Sequence, residues 1–288
     1  MEYVTLNNGV KMPMVGLGTF PLQGDLLKKS LSIAYKAGGR LIDTASGYHN
    51  ENDIGDLIRE SVLDRKDIFI TSKVHSNILT GTRRRLYLNK KSLKRAYKNS
   101  CDRLNVNYVD LYLIHQPFKG CIKAYRKLMK LNEKGRVRAI GVSNFDIQEL
   151  EILHDKLGVY PMVNQTEISP YNSQKELIAY CKLHNIQVEA YSPFGRGNLV
   201  NELMNNQLLV SIAKNHNKTV GQVVLRWIVQ QGVVVIARST NEERIRQNID
   251  IFDFSLTDDE MGMVDSLNKN IVFGVNQIHK YDKPSPIA

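Results

Sequence analysis

Short apolar runs alternate with longer amphipathic segments along most of the chain. The runs are rich in Val, Ile and Leu and end in polar residues, which is typical of buried strands in a parallel sheet. The segments between nearly all of them space their apolar side chains as an amphipathic helix does. The predicted strands cover residues 14–18, 41–43, 68–73, 109–115, 138–142, 162–165, 187–190 and 233–236.

This alternation over 288 residues predicts an α/β fold, a (β/α)8 TIM barrel formed as a single domain over residues 1–288. Before the first barrel strand, Asn8-Gly9 lies between two short extended runs and predicts a two-residue N-terminal β-hairpin that caps the barrel. A short C-terminal tail follows Asn270. The alternative is a doubly wound open sheet, but Gly16-Leu17-Gly18 lacks the last glycine of the fingerprint GxGxxG.

Several helix starts show a capping box. In this motif a hydroxyl and, three residues later, a carboxylate or amide satisfy free backbone N–H groups. Each box predicts where a helix begins. The predicted N-caps are Ser173, Thr219, Thr240 and Thr257.

The composition is that of a globular protein, with 42% hydrophobic and 24% charged residues. No apolar run reaches the roughly 18 residues of a membrane span, and the N-terminal residues lack the order of a secretion signal. Cys101, Cys121 and Cys181 have neither paired nor metal-ligand spacing. We therefore expect a cytoplasmic protein with reduced thiols, no metal ion and no membrane partner.

The formal net charge of +10 is concentrated in the basic segments 81–103 and 119–138. Such segments could bind nucleic acid or an anionic surface. No aromatic stacking motif or groove-reading helix accompanies them, so we interpret them as solvated helix faces and expect no nucleic-acid partner. The sequence shows no self-complementary apolar patch, which favours a monomer or a weak oligomer.

In a barrel, functional side chains gather at the carboxyl ends of the strands. The second predicted strand ends in Asp43, with Tyr48 just beyond it, the third ends in Lys73 and the fourth in His115. Taken singly, each has an ordinary interpretation as a packing, snorkelling or loop residue. Together they would bring a carboxylate, a phenol, an amine and an imidazole to one rim.

This set can protonate a carbonyl oxygen while hydride reaches the carbonyl carbon. A free phenol has a pKa of about 10 and is a slow acid at neutral pH. A neighbouring Lys73 ammonium is expected to lower the pKa of Tyr48, and Asp43 to hold Lys73 in place. His115 can orient the carbonyl oxygen or share the proton. No other nucleophile–base pair and no metal cluster competes in the sequence.

The order and spacing of eight stretches resemble the aldo-keto reductase family over nearly the whole chain. The stretches are GLGTF from Gly16, DTASGYHNENDIG from Asp43, ITSKV from Ile70, VDLYLIHQP from Val109, GVSNF from Gly141, VNQTE from Val163, AYSPFGRG from Ala190 and IARSTNEERIRQN from Ile236. The resemblance implies an NADPH-dependent oxidoreductase that reduces an aldehyde or ketone. It also implies a catalytic tetrad of Asp43, Tyr48, Lys73 and His115, with Tyr48 as proton donor.

The same resemblance implies NADPH bound across the barrel mouth. Ser143, Asn144 and Gln165 would hydrogen-bond the nicotinamide carboxamide, and Tyr191 would stack on its ring. The resemblance also places Thr19 and Asp43 near the nicotinamide ribose and Ser192 at the start of the loop over the pyrophosphate.

The far end of the cofactor can also be interpreted physically. Arg238, Ser239 and Thr240 precede a helix that carries Arg244 on its first turn. A helix N-terminus, two guanidinium groups and two hydroxyls suit a dianionic phosphate, so we expect NADPH rather than NADH. Asn248 is retained near the adenine. In the family, Pro-Lys is usual where this chain has Ala237-Arg238, and an acidic residue is frequent where it has Gln247.

The substrate pocket diverges most from the family pattern. His75 and Gln116 stand where tryptophans are common, while Phe20 retains an aromatic ring, and His49 follows Tyr48. We expect these four residues to line a polar pocket that favours sugar derivatives, dicarbonyls or keto acids. The basic loop 82–85 could add affinity for anions. The alternative function is a catalytically slow NADPH-binding regulatory or sensor protein of the same fold.

Overall fold

A computed structural model describes residues 1–75, 90–272 and 287, with only the backbone described at residues 90–92. Within these residues eight parallel strands close into a barrel in the order β10-β3-β4-β5-β6-β7-β8-β9. The predicted TIM barrel is confirmed, and the open-sheet alternative is wrong. The strands are β1 Tyr3–Thr5, β2 Lys11–Pro13, β3 Val15–Gly18, β4 Leu41–Asp43, β5 Phe69–Val74, β6 Val109–Ile114, β7 Val137–Ser143, β8 Val163–Glu167, β9 Gln187–Tyr191 and β10 Val234–Ala237.

Helices surround the barrel and cover the outer faces of its strands. In α1, for example, Leu27, Leu31 and Ala34 are buried on one stripe, as an amphipathic surface helix requires. The described helices are α1 Gly24–Lys36, α2 Glu51–Arg59, α3 Lys90–Leu104, α4 Cys121–Glu133, α5 Ile147–Leu157, α6 Lys175–Leu183, α7 Asn198–Met204, α8 Gln207–Asn215, α9 Val220–Gln230, α10 Glu242–Ile249 and α11 Asp258–Asp265.

The hairpin β1–β2 lies against the end of the barrel where the strands begin. Asn8 Nδ2 donates to the carbonyl of Arg138 at the start of β7, 2.8 Å away. The predicted hairpin is confirmed, but its turn differs from the predicted two-residue type. The amide of Gly9 donates to Leu6, and Gly9 alone of the Asn-Gly pair has a positive φ, of 83°. Gly9 is therefore the residue of this pair that needs the left-handed region.

The same end of the barrel holds a buried carboxylate between two arginines. Asp110, on β6, accepts from Arg65 and from Arg138, each at 2.7 Å. Its side chain is fully buried, and both its oxygens have a cationic partner. A carboxylate so placed needs such partners, because burial without them is costly.

Two of the four predicted capping boxes are present in the structure, and two are not. Thr219 and Thr257 cap α9 and α11 as expected. The prediction is wrong for Ser173, because Gln174 occupies the N-cap of α6, and for Thr240, because Asn241 caps α10 and accepts from the amide of Arg244. A further capping box, Asp146 with Glu149 at the start of α5, was not predicted.

The core contains the single tryptophan and all three cysteines of the chain. Trp227 is fully buried in α9, and its Nε1 donates to Asp265 Oδ1 at 3.0 Å. Cys101, Cys121 and Cys181 are free thiols. Burial raises the pKa of each, to about 12 for Cys121 and Cys181, so these thiols are unreactive at neutral pH.

The described parts of the chain contain no helix long and apolar enough to cross a membrane, and no group of His, Cys, Asp or Glu side chains suited to a metal ion. The basic segments lie on α3 and α4, which are neighbours on the barrel. Lys94, Arg95 and Lys98 on α3 are exposed, and Lys98 pairs with Asp102 one turn away. Residues 81–89 of the first basic segment, the loop 82–85 and most of the C-terminal tail lie outside the described residues.

Candidate active site

Four side chains predicted from the strand ends meet at the carboxyl end of the barrel. Asp43 ends β4, Lys73 lies on β5, Tyr48 ends a short 3-10 helix and His115 follows β6. Lys73 Nζ lies 2.6 Å from Asp43 Oδ1 and 3.3 Å from Tyr48 Oη. The rings of Tyr48 and His115 meet edge to face, with centroids 5.6 Å apart. The carboxylate, amine, phenol and imidazole thus form one cluster.

Lys73 is fully buried, which is unusual for a charged lysine side chain. Its ammonium donates to Asp43 and to the carbonyl of Thr44, at 3.0 Å, in addition to Tyr48. Burial is the largest single effect and lowers the pKa of Lys73, but the charges of Asp43 and Tyr48 and the hydrogen bond to Asp43 together outweigh it, and the pKa rises to about 12. The side chain is therefore an ammonium at every working pH.

The pKa of Tyr48 differs from the sequence-based prediction. The Lys73 ammonium lowers it, as expected, but burial is the larger effect and Asp43 adds to it, so the pKa of Tyr48 is raised above its usual value. The error arose because the strand-end pattern gives the neighbouring charges but not the exclusion of water from the phenol. Tyr48 keeps its proton at neutral pH and is available as a donor.

The imidazole of His115 is held neutral. Burial, the Lys73 ammonium and then His75 lower the pKa of His115 to about 2. His115 Nδ1 is buried and has no hydrogen-bond partner among the described residues. His75 packs edge-on against His115, with ring centroids 5.4 Å apart, and burial lowers the pKa of His75 as well. Both rings are neutral hydrogen-bonding groups near pH 7.

A buried asparagine, Asn50, holds the loop that carries Tyr48 in place through hydrogen bonds. Asn50 accepts from Thr44 Oγ1 at 2.6 Å and donates to the carbonyls of Thr19 and Leu22 at 3.2 and 2.9 Å. Ser46 donates to the carbonyl of Lys73. These bonds tie the loop to three neighbouring segments. This role of Asn50 was not predicted from the sequence, where the only signal was a polar residue immediately before the amphipathic helix α2.

A cavity of about 1310 Å³ opens above this cluster. Its volume exceeds the roughly 300–1,000 Å³ usual for a drug-sized ligand, so it has room for a dinucleotide and a small substrate. Most of the predicted site residues line it. They are Phe20, Asp43, Tyr48, His75, His115, Ser143, Asn144, Gln165, Tyr191, Ser192, Arg238, Ser239, Thr240, Arg244 and Asn248.

Three predicted contact residues are not among the described lining residues. Thr19 is buried below the rim, where its Oγ1 donates to the carbonyl of Asp43. His49 is exposed, with φ at 58°, beyond the end of the 3-10 helix. Gln116 is partly buried, directly after His115. His49 was predicted because it follows Tyr48, and Gln116 because the family commonly has a tryptophan at that position, but the chain turns after Tyr48 and after His115.

Amide, hydroxyl and carboxyl groups on or beside β7, β8 and β9 form two hydrogen-bonded groups, one around Gln165 and one around Asn144. Gln165 Nε2 donates to Asp43 Oδ2 at 2.9 Å and to Glu189 Oε2 at 2.7 Å. Tyr191 Oη donates to Asn144 Oδ1 at 2.7 Å, and Asn144 Nδ2 donates to the carbonyl of His115. These hydrogen bonds fix the side chains of Gln165, Asn144 and Tyr191, which line the cavity.

Comparison with known proteins identifies the family. The family model described as "Aldo/keto reductase family" matches residues 14–269. The chain belongs to the aldo/keto reductase family. It is 46% identical over 277 residues to the glyoxal reductase of Bacillus subtilis (strain 168), covering 96% of both chains. It is 39% identical over 285 residues to the morphine 6-dehydrogenase of Pseudomonas putida, covering 94% of this chain and 93% of that one.

Solved structures agree with this assignment. An aldo-keto reductase from a deep-sea metagenome library superposes with a TM-score of 0.87 at 37% identity, covering 94% of this chain and 97% of that one. A Bombyx mori aldo-keto reductase in complex with NADP superposes with a TM-score of 0.86 at 30% identity, covering 100% and 99%. Both likenesses extend over the whole barrel.

At the far end of the cavity, this aldo/keto reductase presents positive charge. Arg238 and Arg244 are exposed at the lining, and α10 begins between them. Its N-cap Asn241 accepts from the amide of Arg244, while the amides of Glu242 and Glu243 do not donate to that cap. Free first-turn N–H groups beside two guanidinium groups favour an anion there.

Two further residues at this site were not predicted from the sequence. Arg196 lines the cavity, donates to Ser192 Oγ at 3.0 Å and lies over the Tyr191 ring at 5.5 Å. It falls within the stretch AYSPFGRG, so its signal was present. Glu189 is buried inside strand β9. A carboxylate between the apolar residues Val188 and Ala190 was the signal for it.

Proposed function

We propose that this protein is an NADPH-dependent reductase that converts an aldehyde or ketone to an alcohol, with Tyr48 as proton donor. The proposal is carried by the cluster of Tyr48, Asp43 and His115, which line the cavity, with the buried Lys73 bonded to Asp43 and Tyr48. NADPH, when bound, supplies the hydride. The protein's own groups bind and orient the carbonyl and deliver the proton.

Each member of the cluster has a defined part in that proton transfer. Tyr48 keeps its proton until negative charge develops on the carbonyl oxygen, and then donates it. The Lys73 ammonium, 3.3 Å from Tyr48 Oη, stabilises the phenolate that remains. Asp43 holds the ammonium, and neutral His115 gives the carbonyl oxygen a second polar contact without adding charge.

The residues present fit NADPH. Gln165 and Asn144 face the cavity, each fixed by hydrogen bonds, and Tyr191 presents an aromatic ring beside them. These groups suit a nicotinamide carboxamide and ring. Arg238, Arg244 and the start of α10 suit a 2′-phosphate, and the Bombyx mori aldo-keto reductase of the same fold was solved in complex with NADP.

The substrates we propose are small polar carbonyls, such as dicarbonyls, sugar derivatives and keto acids. The neutral imidazole of His75 borders the reacting end of the cavity beside His115, and the ring of Phe20 lies against Tyr48 in the same lining. A second polar group there can bind a second oxygen on the substrate. The name of the Bacillus subtilis relative, glyoxal reductase, agrees with a dicarbonyl.

The direct test is NADPH oxidation against a panel of polar and apolar carbonyls, with wild type beside Tyr48→Phe. The phenylalanine variant should lose about 10²–10⁴-fold in kcat while it still binds NADPH, because only the acidic proton is removed. Tyr112→Phe is the matched control, since Tyr112 is a buried phenol outside the cavity. Undiminished turnover in Tyr48→Phe would overturn the mechanism, and bulky apolar ketones as much better substrates would overturn the substrate class.

Cofactor choice is tested with the same enzyme and both dinucleotides. Wild type should prefer NADPH in kcat/KM, and Arg244→Ala should reduce that preference by about 10-fold or more, because one charge-assisted contact to the phosphate is lost. Arg246→Ala, which removes a surface arginine of the same helix paired with Glu242, should leave the preference unchanged. Equal efficiency with NADH in wild type would contradict the phosphate site.

A further inference from the structure

Glu189 has no part in the proton transfer described above, yet it lies directly behind the site. It is fully buried on β9, and its Oε2 accepts from Gln165 Nε2 at 2.7 Å. Its other oxygen, Oε1, has no hydrogen-bond partner among the described residues. The polar contact that the described structure gives this carboxyl is therefore the one with Gln165.

Gln165 has two N–H groups, and both are committed. One donates to Asp43 Oδ2 and the other to Glu189 Oε2. An amide group is planar, so two fixed acceptors define its orientation, whereas one acceptor would leave it free to rotate. With both N–H groups occupied, the group that Gln165 has left for a ligand in the cavity is its carbonyl oxygen, Oε1.

We propose that Glu189 is a positioning residue that, together with Asp43, fixes the amide of Gln165 so that Oε1 is presented to the cavity as an acceptor for the carboxamide N–H of the nicotinamide. The proposal rests on the cofactor assignment made above. Glu189 acts on binding through Gln165 and touches neither substrate nor cofactor. Its contribution is selective, since it concerns only a ligand that has an N–H to donate.

The protonation state of Glu189 is compatible with its proposed role as an acceptor that positions Gln165. Burial, and then the charge of Asp43, raise the pKa of Glu189 to about 8, against the opposing effects of Gln165 and Lys73. At neutral pH the group is therefore largely a neutral carboxylic acid, whose carbonyl oxygen still accepts from Gln165. A glutamine at position 189 reproduces that neutral acceptor, which supplies a conservative variant.

The test measures dissociation constants by titration calorimetry for two ligands. One is NADP⁺, and the other is its 3-acetylpyridine analogue, in which a methyl ketone replaces the carboxamide and no N–H remains. Wild type, Glu189→Leu and Glu189→Gln are compared, and thermal unfolding verifies that each is folded. Should Glu189→Leu not fold, Glu189→Thr is measured instead, because its short hydroxyl does not reach Gln165.

Glu189→Leu should bind NADP⁺ about 10-fold more weakly, the equivalent of one hydrogen bond, and bind the analogue within about twofold of wild type. Glu189→Gln should restore NADP⁺ binding to within about threefold. An equal loss for both ligands would assign Glu189 a merely structural role and overturn the proposal, as would an unchanged constant for NADP⁺. Wild type that fails to bind NADP⁺ at all would overturn the proposed function, and this inference with it.

Discussion

At the scale of single residues, the site is built on an ammonium group from which water is excluded. Lys73 has no exposed surface, and although burial lowers its pKa, the charges of Asp43 and Tyr48 and the hydrogen bond to Asp43 together raise it to about 12. Taking both charges out of water is costly, and their attraction at 2.6 Å offsets that cost only while both are present. The two side chains are therefore coupled energetically as well as in their proposed chemistry.

Replacing one partner of this pair should leave the other as a buried charge without compensation, so the effects of the two replacements should not be additive. Lys73→Met leaves a buried carboxylate without its cation, so we expect a loss of about 3–5 kcal/mol in the free energy of unfolding in urea. The double variant Lys73→Met with Asp43→Asn should lose less than the sum of the two single losses. Additive losses would indicate that the pair contributes no coupling energy.

The neutral state of His115 can be tested in the pH dependence of catalysis. With its pKa lowered to about 2, His115 does not titrate between about pH 5.5 and 7.5, so kcat/KM should show no acidic limb from this residue in that range. His115→Asn serves as the comparison, because asparagine cannot take up a proton. An acidic limb near about pH 6.5 in wild type that disappears in the variant would contradict the lowered pKa.

At the scale of elements, the helix N-termini show how well a local sequence pattern predicts the N-cap residue. Thr219 and Thr240 carry the same pattern, a hydroxyl followed three residues later by Gln or Glu. Thr219 is the N-cap of α9, as predicted. The N-cap of α10 is Asn241, one residue after the predicted Thr240. Asparagine caps at least as well as threonine, so two adjacent candidates compete and the pattern alone does not choose between them.

Stability measurements should separate these two threonines. Thr219→Ala removes a hydroxyl that accepts from the amide of Gln222, so it should lower the free energy of unfolding by about 1 kcal/mol. Thr240→Ala should change it by no more than a few tenths of a kcal/mol, since Asn241 remains. A comparable loss from Thr240→Ala in chemical denaturation would mean that Thr240 contributes to the cap after all.

The barrel and the four clustered residues were predictable from sequence because both follow from local patterns. Apolar runs give the strands, and polar residues at strand ends give the rim. The contacts of Glu189 with Gln165 and the exposure of His49 were not predictable, because they depend on side-chain direction and on how the chain turns after a strand. The raised pKa of Tyr48 required the burial that only the assembled barrel provides.

At the scale of the whole molecule, the two ends of the barrel differ: one holds a buried cluster of charged side chains and the other holds the cavity. The end closed by the hairpin holds Asp110 between two arginines, while the open end carries the cavity. Near the cavity, Asp43 and Lys73 are likewise buried as a pair, whereas the carboxyl of Glu189 accepts from the neutral amide of Gln165. Because a neutral amide offsets less of the cost of burying a charge, the ionisation of Glu189 opposes folding.

The stability of the protein should therefore depend on pH through Glu189. Its pKa is raised from an ordinary value of about 4.5 to about 8 on folding, so the unfolded chain binds fewer protons than the folded one between these pH values, and stability falls as pH rises. Relative to Glu189→Gln, wild type should lose on the order of 3–4 kcal/mol between pH 5 and pH 8. A constant difference in unfolding free energy across this range would refute the raised pKa.

The single tryptophan provides an internal optical reporter. Trp227 is buried in α9 and bonded to Asp265 of α11, so its fluorescence senses the packing of the last helices against the barrel. Circular dichroism senses the helices of the entire chain. Superimposable denaturation curves from the two signals would mean that the barrel melts as one cooperative unit, whereas an earlier fluorescence transition would mean that the C-terminal helices detach first.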